Sequence, residues 1–249
     1  MELKGKTFLV TGGDNDIGKE LISILLTKEC NVIAVISRES TLPKTIEKKD
    51  SLTILTVDIT NEKSVESLYE KSLSMYETID GIINNAGIIQ HVQKLNSSNF
   101  ETIERIFNLN YYGTLYLSKI FLPHLFSHSE ANFVLNVPYL SLSQKATCLG
   151  SKTISSLKML IEGLRSELLD TPIKVMLVSS GIISSDRKHD KNSNLYSISS
   201  SDAALSIVNG IEKGYSSVDI NKNSIHDILR PDLFFRKMKK IINGILHHN

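Results

Sequence analysis

Six short β-branched runs punctuate this chain: TFLVT (7–11), NVIAVIS (31–37), LTILTVD (52–58), GIINNA (81–86), NFVLNV (132–137) and IKVMLVS (173–179). They are continuous rather than alternating, the pattern of strands buried on both faces and hence of a parallel sheet covered on each side. Helical stripes lie between them. Ile17, Leu21 and Leu25 recur at i, i+4 and i+8, and Ile154, Leu157, Ile161, Leu164 and Leu168 keep the three-four alternation of one helical face. Strands alternating with helices predict an α/β fold, a doubly wound parallel sheet in three α/β/α layers. At 249 residues with 41% hydrophobic content, one such domain over 1–249 is expected.

The bulk properties narrow the partners. Lys plus Arg number 28 against 27 for Asp plus Glu, so no overall field favours nucleic acid or an acidic surface, and a small-molecule partner is expected. Cys30 and Cys148 lie far apart, without a Cys-x-x-Cys or a histidine at ligand spacing, which argues against a metal site or a disulfide scaffold and fits a reducing cytoplasm. The start, MELKGKTFLVTGG, enters a strand pattern at once, with no export signal expected, and no apolar run reaches the length of a membrane span.

Two segments leave alternatives open. The helix expected over 148–169 carries few charges on any side, with Ser155, Ser156, Met159 and Leu160 off the main stripe; one face can cover the sheet while another meets a second subunit, or the helix is buried within one chain. The basic amphipathic segment RPDLFFRKMKKIINGIL (230–246) reads as a docked terminal helix or as one resting on a membrane surface. The polar, serine-rich 184–200 reads as a mobile loop beyond the carboxyl end of a strand, where ligands bind in this fold class.

Chemistry is first suggested by TGGDNDIGKE (11–20), which sets Gly12, Gly13 and Gly18 at a strand-to-helix turn. Glycines there permit a tight turn and let backbone N–H groups approach a pyrophosphate, which the amino end of the next helix also favours. At the end of the second strand, Ser37 and Arg38 stand where an acidic residue would hold a free ribose 2′-hydroxyl. An arginine there suits a 2′-phosphate and so NADP over NAD, unless Arg38 is simply a solvated surface residue.

These elements together resemble the short-chain dehydrogenase/reductases, classical type, from about residue 4 to 215. TGGDNDIG is similar to their TGxxxGxG turn, with Asp16 in place of the middle glycine and Ile17 and Gly18 following; NNAG (84–87) matches their characteristic tetrapeptide; VDIT (57–60), NLNYYGT (108–114) and SSGIIS (179–184) resemble three further segments. The resemblance implies a Rossmann-type fold, an NAD(P)(H)-dependent oxidoreductase acting on a small carbonyl or alcohol, and assembly as a homodimer or homotetramer. It implies a cofactor shell of Gly12, Gly13, Asp16, Ile17, Gly18, Ser37, Arg38, Asp58, Ile59, Asn85, Ala86, Gly87, Lys152, Gly181 and Ile183. A carboxylate at Asp16 is unfavourable beside phosphates unless its side chain turns back to cap the helix.

The catalytic set departs from the family. Asn110 falls on the stripe Ile103, Phe107, Asn110, Thr114; an unpaired buried amide costs about 1–3 kcal/mol, so a partner is expected, functional by the resemblance or structural by backbone bonding. Lys152 matches the family lysine, and a cation in a first helical turn opposes the dipole unless something else holds it. The family serines are replaced by Pro138 and Tyr139, and its tyrosine, four residues before Lys152, by Cys148; no other Tyr-x-x-x-Lys occurs. A thiol is shorter than a phenol by a whole ring. Two readings follow: a reductase in which Tyr139 and Lys152 serve proton transfer, or a cofactor-binding pseudo-enzyme that lacks the relay and acts as partner subunit, sensor or scaffold. A reactive thiol at Cys148 is a third.

Overall fold

In a computed structural model of the chain, the described residues are 1–37, 40–43, 50–87, 100–138, 149–180, 183–184 and 198–220, with side chains excepted at 138, 149–154 and 183–184. Seven parallel strands form one sheet: β1 (Thr7–Thr11), β2 (Asn31–Ile36), β3 (Leu52–Thr56), β4 (Gly81–Asn84), β5 (Ala131–Pro138), β6 (Ile173–Ser180) and, after the two-residue pair β7 (Ile183–Ser184) and β8 (Ile198–Ser199), β9 (Ser217–Ile220). Their spatial order is β3-β2-β1-β4-β5-β6-β9. The order reverses between β1 and β4, so the connections leaving these two strands diverge and open a crevice at their carboxyl ends.

Helices cover both faces, as the continuous strand runs require. Along β1, Phe8 and Val10 point to one layer, with α1 (Asp16–Thr27) and α6 (Ser200–Lys213) packed over them. Leu9 points to the other, beneath α2 (Glu62–Met75), α4 (Gly113–Leu125) and α5 (Leu149–Glu167). The stripe on α1 buries Ile17, Leu21 and Leu25, and that of α5 and the residue after it buries Leu157, Ile161 and Leu168. Full burial of such a side chain contributes about 1.5–3 kcal/mol, so each three-residue stripe suffices to fix its helix on the sheet.

Three local features go beyond or correct the sequence reading. The stripe through Asn110 is carried by two helices, α3 (Phe100–Phe107) and α4, joined by a π-helical turn at Asn108–Tyr112. One wider turn leaves the three-four spacing of the apolar residues almost unchanged, so periodicity does not reveal it. The loop expected over 184–200 is shorter: Ile198–Ser199 pairs with Ile183–Ser184, and Ser199 caps α6 by accepting from Asp202 N–H. The remainder of that loop and the basic segment at 230–246 lie outside the described residues. The seventh strand, SVDI, is half polar and has no apolar run to announce it.

Candidate functional site

The crevice is bordered by a buried polar lattice tying β1 to β4. Parallel pairing sets Thr11 beside Asn84. The Thr11 hydroxyl donates to Asn84 Oδ1 (2.7 Å) and accepts from the backbone N–H groups of Asn85 and Ala86 (3.1 Å each). Asn84 Nδ2 donates to Thr114 Oγ1 (2.8 Å), which itself donates to the Asn110 carbonyl (2.7 Å). Asn85 Nδ2 donates to Gly12 O and Asn15 Oδ1, while Asn15 Nδ2 donates to Asn85 O. Two hydroxyls, those of Thr11 and Thr114, and three amides thus lock the glycine turn, the end of β4 and the π turn into one arrangement. Asn136, on β5, extends the lattice by donating to Asn85 Oδ1 (2.9 Å), yet its own buried Oδ1 accepts no hydrogen bond. A buried acceptor without a partner is uncommon and marks a place for a water.

Glycine is required where the turn meets β4. Gly12 has φ +62°, and a Cβ there would lie 2.9 Å from Ala86 Cα. A Cβ at Gly18 would collide with the Gly12 carbonyl, so this glycine seats α1 against the turn. The helix is capped by Asn15, whose Oδ1 accepts from Gly18 N–H at 2.8 Å. The capping role expected of Asp16 is therefore corrected: Asp16 is the first helical residue, exposed, and the neighbouring amide already fills the cap. Gly13 and Ile17 are buried beneath the turn, Gly13 against Ile22 and Ala34.

Beyond the turn opens a cavity of about 570 Å³. Gly12, Ser37, Asp58, Ile59, Ala86 and Gly87, all expected in a cofactor shell, line it together. Thr11, Asp14, Asn15 and Leu109 line it too and were not foreseen. The Asp58 carboxylate is held at the rim by Thr60, whose N–H (2.9 Å) and hydroxyl (2.7 Å) both donate to Oδ1. At the far end, Asn110 is 5% exposed, and a Cβ on Gly87 would meet its Oδ1 at 3.4 Å. The π turn thus presents this amide beside the NNAG segment; such turns often carry a functional side chain. Lys152 falls in the first turn of α5 and Ile183 in β7, neither with a described side chain, while Arg38, Tyr139, Cys148 and Gly181 lie outside the described residues. Among the described residues, no group of three or more His, Cys, Asp or Glu could hold a metal ion.

A model of short chain dehydrogenases matches residues 6–195. The chain belongs to the short chain dehydrogenase family. It is thus an NAD(P)(H)-dependent oxidoreductase, and nothing here favours a cofactor-binding subunit without chemistry. It is 28% identical to an NADP-dependent 3-hydroxy acid dehydrogenase of Schizosaccharomyces pombe over 194 residues, 74% of either chain. Its identity to an uncharacterised oxidoreductase of Bacillus subtilis is 26% over 245 residues, 93% of this chain and 95% of that one. A short chain dehydrogenase from Burkholderia cenocepacia, solved in complex with NADP, superposes with a TM-score of 0.75 at 22% identity, covering 99% of this chain and 98% of that one. The dehydrogenase's glycine cradle, its cavity along the carboxyl ends of β1 to β4, and its convergent amides fit a dinucleotide, because each leaves room or a polar contact where an extended phosphorylated ligand needs one.

Proposed function

We propose that this dehydrogenase interconverts a small carbonyl compound and its alcohol, with NADP(H) preferred over NAD(H), and that Tyr139 and Lys152 serve the proton transfer. When bound, the nicotinamide supplies or accepts the hydride. The observation that carries the reading is the lattice joining Thr11, Asn85 and Asn15 to the π turn of Asn110, since it fixes that turn against the glycine turn and the end of β4 beside the cavity.

Each residue has a physical task. Gly12 and Ala86 keep the crevice floor open to close backbone approach, and Asn15 and Asn85 stop the floor from shifting. Asp58 and Ile59 cover the adenine end, with Ser37 and Arg38 at the ribose. Asn110 holds a water from which a proton can be passed on. The Lys152 ammonium stabilises a phenolate at Tyr139, lowering its pKa and easing release of the proton. Cys148 is not the donor in this reading, because a thiol falls short of a carbonyl that a phenol from the same Cα would touch.

Assembly as a homodimer is part of the proposal. Phe107, Tyr111, Tyr112 and Tyr116 form a continuous ladder of ring contacts, with centroids 5.0–6.0 Å apart, across the π turn. Tyr112 is 39% exposed, and Phe100 and Met159 stand out at 74% and 77%. A second copy covering this face would remove that apolar surface from water.

The test is a panel of small carbonyl substrates assayed with NADPH for the natural chain, Tyr139→Phe and Cys148→Tyr. Activity of the natural chain that falls at least 100-fold in Tyr139→Phe, of the order expected for loss of a general acid, supports the relay. A silent natural chain that gains turnover only in Cys148→Tyr overturns it.

A further inference from the structure

We infer that Asp14, in the turn after β1, is a specificity-determining residue: its carboxylate holds an unphosphorylated adenosine ribose and opposes a 2′-phosphate. The inference rests on the proposed nucleotide site and deepens it. In dinucleotide-binding sheets, an acidic residue about 20 positions past the glycine turn, at the end of the second strand, accepts from the ribose 2′-hydroxyl. That place is held here by Ser37, which carries no charge. A carboxylate nevertheless stands there, delivered from the first turn instead of the second strand. Asp14 Oδ2 accepts from Ser37 Oγ at 2.8 Å and faces Ser37 N–H at 3.4 Å, and Ser37 Oγ lies 2.9 Å from Ser40 Oγ. Asp14, Ser37 and Asp58 line the same cavity, and no described lining residue is basic.

The chemistry sets the direction of the effect. Burial raises the Asp14 pKa, but hydrogen bonds from Ser40, Ser37 and the backbone outweigh it and leave the group below the ordinary carboxylate value. At neutral pH it is therefore an acceptor only. It matches a ribose hydroxyl, which can donate, and repels a 2′-phosphate carrying a charge of roughly −1.5 to −2. Arg38 acts in the opposite sense. The two together make a chain that takes both coenzymes with modest discrimination, and Asp14 sets the limit on its preference for NADPH.

The experiment is fluorescence titration of the full chain with NADPH and with NADH, for the natural protein, Asp14→Asn and Asp14→Ser. Asparagine keeps the shape and an acceptor for Ser37; serine removes both, so the pair separates charge from packing. In each variant the affinity ratio should move about tenfold toward NADPH, the size expected for unit charges several ångströms apart in largely aqueous surroundings. NADH affinity should stay the same or weaken. A natural chain that binds both coenzymes, with a ratio unchanged in both variants, overturns the role of Asp14 alone. A natural chain that binds neither overturns the nucleotide site itself and this inference with it.

Discussion

The two ends of β4 are both polar and both buried, yet they are built for different ends. At the amino end Asp80 is 4% exposed: Oδ1 accepts from Lys6 Nζ (2.8 Å), Oδ2 from Thr7 N–H (2.9 Å), and its backbone pairs with Thr7 and Asn132. Next to it, Ile79 N–H donates to His124 Nε2 (3.2 Å). The space beside Gly81 is filled by the Phe8 ring, whose Cδ1 would lie 2.7 Å from an added Cβ. At the carboxyl end the asparagines bond just as fully, but Gly12 and Gly87 line a cavity and Asn136 keeps an unused acceptor. Closed polar packing with no room is structure. Polar packing that stops at a cavity with capacity to spare is a site.

The comparison breaks most sharply at glycine. Gly18→Ala drives a methyl into the Gly12 carbonyl and to 2.8 Å from Gly13 Cα. Neither atom is the end of a flexible side chain, so the turn must open, with a stability loss of about 3 kcal/mol or more and loss of coenzyme binding. Urea denaturation and coenzyme titration read the two effects together. Asp80→Ala, at the other end, should separate them. It strands the Thr7 amide and costs about 2–3 kcal/mol, while the Lys6 pairing adds little because that lysine is 40% exposed. Coenzyme affinity of the folded variant should match the natural protein. A matching loss of affinity would mean that the two ends are coupled through β4.

Thr11→Val sharpens the same contrast with a smaller change. The side chain keeps its shape but no longer accepts from the amides of Asn85 and Ala86. A stability loss of about 1–2 kcal/mol is expected, together with weaker coenzyme binding because the crevice floor is no longer fixed. Retained affinity would assign the lattice to stability alone.

Much of this was legible in the sequence, and the unread parts share a cause. The five internal strands announced themselves because burial on both faces demands unbroken apolar runs; of the two edge strands, LTILT keeps a β-branched run while only partly buried, and SVDI is half polar. Gly12, Gly87 and Asp58, grouped through the family resemblance, line one cavity because parallel strands bring successive carboxyl ends to one side. Asn15 rather than Asp16 caps α1, a choice decided by which side chain reaches Gly18 N–H, and both residue types are good caps. Asp14 was hidden for a similar reason. Its partner, Ser37, is 23 residues away, and only the adjacency of β1 and β2 brings them together.

The smallest expected effect concerns pH and belongs to the amino end. Burial pushes the His124 pKa below its ordinary value of 6.5, the neighbouring His128 ring adds to that, and Asp80 opposes both. The Ile79 amide also needs Nε2 unprotonated. Protons therefore bind the unfolded chain more readily, so the contribution of His124 is complete above pH 6.5 and is lost as the pH falls below it. Asp14 and Glu130, both held below the ordinary carboxylate range, lose theirs only in more acid solution. Urea midpoints taken from pH 7.5 to 5 should fall with acid in the natural protein and fall less steeply in His124→Gln, whose amide oxygen still accepts from Ile79 but does not titrate. Equal slopes in the two would exclude His124 as the source of acid sensitivity.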